Sequence, residues 1–199
     1  MNRLDTLMQI IKQRHSCRAY DSDRPVPDDA LRHCLEAARQ APSACNKQPW
    51  RFVVIDDPEI LTEIRERANL GGVANDWWGT APVMVALGVD KNIVTHRLAP
   101  ALSKIQYHLL DAGIAGEHFA LAAASQGLAT CWIGWFNQKA ARKILQIPRG
   151  IDLVALFTLG YPIAEPKKRS SRKELDEIAF RNRWQQPIAN SATSSSATT

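Results

Sequence analysis

The sequence predicts an α/β sandwich, a central mixed sheet with helices packed against it. Two observations carry this. Short apolar runs bounded by Pro, Gly or Asp occur at 52–55, 82–89 and 153–159, with a further one beginning near Ala129, and these read as strands. Longer stretches with apolar residues at helical spacing lie between them, so some strands are joined by long crossovers. At 199 residues and 45% hydrophobic, the chain can fill one core and is too short for two ordinary domains.

Taken in order, Leu4, Leu7, Met8 and Ile11 form one apolar stripe of an N-terminal amphipathic helix that delivers Arg14 to Arg18 at its C-terminal end. Pro25 and Pro27 break the chain. Asp28 is placed to cap a second helix whose buried face is Leu31, Cys34, Leu35 and Ala38, and Pro42 ends it. The run Phe52 to Ile55 is a strand, a helix follows over 58–68, and Gly71-Gly72 is a break. Pro82 to Val89 is the next strand, with a loop or short helix over 92–101. The longest helix is expected from Ser103 to Gln126, with Gly127 as its stop. Its segment Phe119 to Ala124 is apolar nearly all round, as in a central buried helix. After the strand near Ala129, Asn137 can cap a helix through Leu145. Leu153 to Leu159 is the last strong strand, and Gly160-Tyr161-Pro162 ends it. A helix is expected over Lys173 to Asn182, and the final residues, nearly all Ser, Thr and Ala from 189 onward, lack core-forming side chains.

Charge and cysteine content narrow the function classes. Twenty-five basic residues are mixed with 20 acidic ones, which favours anionic small molecules over a nucleic-acid stripe. The four cysteines (Cys17, Cys34, Cys45, Cys131) have neither C-x-x-C nor metal-ligand spacing, and the five histidines are scattered. No metal site, secretory signal or membrane-spanning run is read, so a cytoplasmic protein with reduced thiols is expected.

Two segments carry chemistry. Arg14-His15-Ser16-Cys17-Arg18 groups two guanidiniums and a hydroxyl within a few residues, the donors that hold a phosphate dianion without metal. A basic turn favoured by a helix C-terminus is the plainer alternative. Ala41-Pro42-Ser43-Ala44-Cys45-Asn46-Lys47-Gln48-Pro49-Trp50 sets a hydroxyl and two carboxamides ahead of a strand, where connections commonly face ligands. Taken singly, either segment is an ordinary turn.

Together they resemble the motifs of the nitroreductase family of FMN-dependent oxidoreductases. The similarity extends to Gly127-Leu128-Ala129-Thr130-Cys131-Trp132-Ile133-Gly134, to the Gly160-Tyr161-Pro162 turn and to the segment Arg172 to Ile178, and it spans roughly residues 8–184. The resemblance implies a nitroreductase-like α/β (α+β) three-layer sandwich. Its sheet would be mixed and mainly antiparallel, with the C-terminal segment extending onto a dimer partner. It further implies one FMN-binding domain over residues 1–184 and a tail over 185–199. The protein would be a homodimer with FMN at the subunit interface and NAD(P)H as electron donor. Arg14, His15, Ser16 and Arg18 would hold the phosphate, ribityl chain and pyrimidine edge, with Arg18 as possible stabiliser of the reduced ring. Pro42, Ser43, Ala44 and Asn46 would come from the partner subunit, with Gln48 close behind. Backbone around Cys131, Ile133 and Gly134 would lie over one ring face, and Arg172 would close the phosphate site. Ser170 stands where family members often carry a second basic residue, a role open to Lys168 or Arg169.

The activity so implied is ping-pong hydride transfer from NAD(P)H through FMN to a small conjugated acceptor such as a nitroaromatic or quinone. The alternatives are a flavin-storage protein, a relative performing dehalogenation or flavin breakdown, and a basic nucleic-acid binder. Cys131 reads as a small buried residue rather than a redox group. Trp77-Trp78 reads equally as a lid or as packing. Glu117 and His118 are assigned structural roles, and Lys167-Lys168-Arg169 a solvated run.

Overall fold

One strand with both faces covered organises the larger part of the chain. In the computed structural model, which describes residues 2–70, 76–90, 105–164 and 170–188, β2 (Val83–Asp90) is buried almost throughout. Val83, Val85, Leu87 and Val89 turn to one core and Met84 and Ala86 to another, the period-two signature of a central strand. Strand β2 pairs antiparallel with β1 (Trp50–Ile55) on one side and β4 (Ile151–Gly160) on the other. Antiparallel pairing of β3 (Ala129–Ile133) with β4 completes the order β1-β2-β4-β3. Every pairing among the four strands is antiparallel, and one isolated parallel bridge between Ser16 and Thr130 sets the N-terminal segment against β3, which agrees with the mainly antiparallel sheet expected.

Helices α2 (Asp28–Arg39) and α4 (Tyr107–Ser125) cover one face. Helices α3 (Pro58–Arg67) and α5 (Gln138–Ile144) cover the other, with Trp78 of the 3-10 turn Asp76–Thr80 beside them. The result is a three-layer sandwich. Phe119 of α4 binds its layer to the sheet, stacking on Phe52 at 6.1 Å and meeting Phe157 at 5.5 Å.

Residues Met1–Glu165 form one compact unit and Pro166–Thr199 a second. In the second, the helix expected over Lys173 to Asn182 is only the single turn α6 (Leu175–Ile178). Ala179 is extended, Phe180 bridges Pro187, and Asn182 and Gln185 adopt left-handed φ angles. Pairing of the chain with itself has displaced the helix.

Two more expectations are corrected. Pro27, not Asp28, is the N-cap of α2, and it offers no side-chain acceptor. Helix α4 starts at Tyr107 behind an uncapped Gln106; Ser103 lies outside the described residues, as do Gly71-Gly72, 92–101, Lys167 to Arg169, 189–199 and the Trp77 side chain. Helix α1 (Arg3–Gln13) forms with an Asn2–Asp5 capping box, yet none of its residues is buried. Gly127 does stop α4. At φ +74° it lets Leu128 N–H reach the Ala123 carbonyl at 3.0 Å and its own N–H reach Ala124 at 3.2 Å, which closes a Schellman motif.

Candidate functional site

The basic segment is held where α1 ends against the sheet edge. Arg14 is the C-cap of α1, its N–H donating to Ile10 O. Past it the backbone extends along β3, with Cys17 N–H donating to Thr130 O at 3.0 Å. Beneath, the Tyr20 hydroxyl donates to Cys17 O at 2.9 Å and shares a 2.7 Å hydrogen bond with Thr158. Cys17 is buried between exposed Ser16 and Arg18, the two-residue alternation of extended chain, which ends before buried Tyr20.

Arg14 Nε lies 3.4 Å from the Glu117 carboxylate of α4. His15 donates from Nδ1 to Gln13 O at 3.0 Å, which fixes its ring. A cavity of about 240 Å³ opens beside this segment, with Gln13, Arg14, His15, Gly127, Leu128 and Thr130 in its wall. The Cys131 thiol donates to Trp132 O at 3.6 Å. Burial pushes the thiols of Cys17 and Cys131 up, the nearby Arg18 guanidinium only partly opposing it at Cys131. Both stay neutral at pH 7, which suits packing rather than nucleophilic or redox work.

Past β3 the chain turns. Ile133 is buried, while Gly134 is exposed, and a Cβ on it would meet nothing within 4 Å. Phe136 is buried again, and Asn137 N–H donates to Ala68 O at 2.8 Å. The Gly134 backbone thus stands at open space between two anchored residues, a place for a flat ring to approach. Trp135 beside it is 61% exposed.

The second predicted segment is a strained loop. Pro42 is exposed. Ser43 Oγ accepts Gln48 N–H at 2.9 Å, and Gln48 Nε2 donates to Asn46 O and Oδ1 at 3.2 and 3.1 Å. Ala44 N–H donates to Asp111 Oδ1 at 3.0 Å. Trp50 is the first residue of β1 and is buried in the core beneath the loop. Arg172 belongs to the second unit, where it is exposed and donates to Ser170 O and Ser171 O at 3.1 Å.

Sequence reasoning passed over Asp111, Tyr20, Trp135 and the Arg14–Glu117 pair. Of these, Asp111 left a trace: a carboxylate in an apolar helix must find donors or stay charged at high cost.

The donor set fits a phosphorylated, flat, polyhydroxylated ligand such as FMN. Two guanidiniums and a hydroxyl lie on a segment tied to the sheet edge, a cavity lies beside them, and the exposed Gly134 backbone follows β3. The sequence model of the nitroreductase family matches residues 11–71 and 65–161. An NADH dehydrogenase of Thermus thermophilus is 32% identical over 89% of this chain and 96% of its own. Iodotyrosine deiodinase 1 of Sus scrofa is 28% identical over 89% and 69%. A nitroreductase family protein of Clostridium novyi NT superposes with TM-score 0.71 and 27% identity, covering 92% of this chain and 96% of that one. Fold and sequence define a nitroreductase-like oxidoreductase. The chain belongs to the nitroreductase family.

Proposed function

We propose that the protein is a homodimeric, NAD(P)H-dependent FMN oxidoreductase that reduces small conjugated acceptors such as nitroaromatics or quinones. The observation that carries the reading is the pinning of Arg14 to Arg18 on β3, which aligns Ser16 and Arg18 outward. When bound, FMN supplies the hydride chemistry between donor and acceptor in two ping-pong half-reactions. Arg14 and Ser16 hold its phosphate through charge-assisted hydrogen bonds, and His15 lies along the ribityl chain. Arg18 holds negative charge at the pyrimidine edge of the ring, which favours the reduced form. Backbone at Cys131, Ile133 and Gly134 covers one ring face. Pro42, Ser43, Ala44 and Asn46, with Gln48 behind, complete the site from the partner subunit. Apolar residues left exposed on α1 and α4 support such a partner. No helix among the described residues is long and apolar enough to cross a membrane, and four free thiols suit a reducing cytoplasm.

The test is the visible spectrum of the purified protein before and after anaerobic NADH or NADPH. Flavin bands that bleach within seconds support the reductase; bands that persist for minutes leave a storage protein. A colourless protein that takes up no added FMN overturns the reading. Arg18→Ala should lower the flavin midpoint potential or its retention, and unchanged values for both remove Arg18 from its role. The similarity to iodotyrosine deiodinase 1 favours reductive dehalogenation as a second reading, which halide release from a halogenated phenol would reveal.

A further inference from the structure

The loop over residues 43–48 is shaped against its own preference. Cys45, Asn46 and Gln48 adopt φ angles of 51°, 53° and 48°, a region that non-glycine residues occupy only where the surroundings impose it. The loop closes on itself through Ser43 and Gln48, and at Ala44 it is bound to the body of the protein by Asp111 of α4. Asp111 is 3% exposed on a helix otherwise buried through Ala112, Ala115, Gly116 and Phe119. A carboxylate there costs desolvation, which the Ala44 N–H donated to Oδ1 offsets in part.

We propose that Asp111 is a positioning residue acting across the subunit boundary: its carboxylate sets the loop backbone that completes the flavin site of the opposite protomer. This rests on the flavin reading above, in which Ser43, Ala44 and Asn46 serve the partner's cofactor. The FMN bound beside one chain's Arg14 then depends on Asp111 of the other chain. A residue of purely structural importance affects its own chain's sites without that crossed dependence.

Mixed dimers test it. Asp111→Leu and Arg14→Ala chains carrying different tags are co-expressed, and the mixed dimer is isolated by tandem affinity. FMN binding is then read by fluorescence quenching. Each homodimer should bind FMN about ten- to a hundredfold more weakly, the range for losing a hydrogen bond to a charged group. The mixed dimer should regain one site of wild-type affinity, because one interface pairs the intact Arg14 segment with the intact Asp111-held loop. A mixed dimer without such a site overturns the inference. Wild-type protein that binds no FMN overturns the flavin reading instead.

Ala44→Pro supplies a second arm that leaves α4 untouched. It removes the N–H that Asp111 accepts, at the start of a 3-10 turn behind an extended Ser43 (φ −144°, ψ 156°), where proline is accommodated. It should weaken FMN as Asp111→Leu does and be complemented by the Arg14→Ala chain. An Ala44→Pro homodimer with wild-type affinity also overturns the inference. Asp111→Asn keeps an acceptor oxygen and should retain FMN within a few-fold; a loss equal to that of Asp111→Leu counts against a positioning hydrogen bond.

Discussion

Tyr20 shows how much of the site depends on one residue that never meets solvent. Its ring is 1% exposed, its hydroxyl bridges Cys17 O and Thr158 Oγ1, and its N–H donates to Thr80 Oγ1 at 3.2 Å. The segment from Ser16 to Tyr20 is therefore fixed to β3 by its backbone and to β4 by a phenol. Burial pushes the phenol far above its usual range, so it is a neutral donor at any working pH. Tyr20→Phe leaves Thr158 buried with one partner fewer. We expect the apoprotein's unfolding free energy to fall by about 1–3 kcal/mol, measured by urea denaturation at fixed protein concentration. An unchanged midpoint would mean that β3 alone holds the segment. Nothing in the sequence marks this tyrosine, because its partners lie 3 and 138 residues away and spacing reports only local neighbours.

Elements were legible where one period dominated. The apolar runs located all four strands to within about two residues, and Gly127 marked the end of α4 because a left-handed residue is needed there. Spacing failed where tertiary pairing competes with local preference, as in α6, whose expected continuation pairs back on itself through Phe180 and Pro187. The close approach of α4 to β3 was equally silent. A Cβ on Gly116 would overlap the Trp132 ring and sit 2.9 Å from Phe157 Cζ, in a cluster where those two rings are 4.3 Å apart. Gly116→Ala adds helix propensity of about 1 kcal/mol but overpacks at a cost of about 1–3 kcal/mol. We expect a lower melting temperature and a shifted Trp132 emission. A higher melting temperature would show that Trp132 swings outward freely.

For the molecule as a whole, α1 stands out among the described helices longer than one turn, because it has no core. An isolated 11-residue helix is marginal in water, yet α1 buries no residue. Its apolar stripe of Leu4, Leu7, Met8 and Ile11 lies open, 41% to 65% exposed, and Leu109, Leu110 and Ile114 of the adjacent α4 are exposed too. Burying a leucine contributes about 1.5–3 kcal/mol, so covering this surface with a second copy would stabilise both α1 and the Arg14 cap at its end. If that copy is the partner in the proposed flavin dimer, each chain's basic segment meets the other's strained loop, which makes assembly and cofactor binding one equilibrium. Leu7→Glu combined with Ile11→Glu should therefore yield monomers by light scattering, with circular dichroism of the sheet retained and FMN lost in proportion to the dimer. A monomer that keeps FMN at wild-type affinity would show that one chain completes the site, and a variant that stays dimeric would place the interface elsewhere.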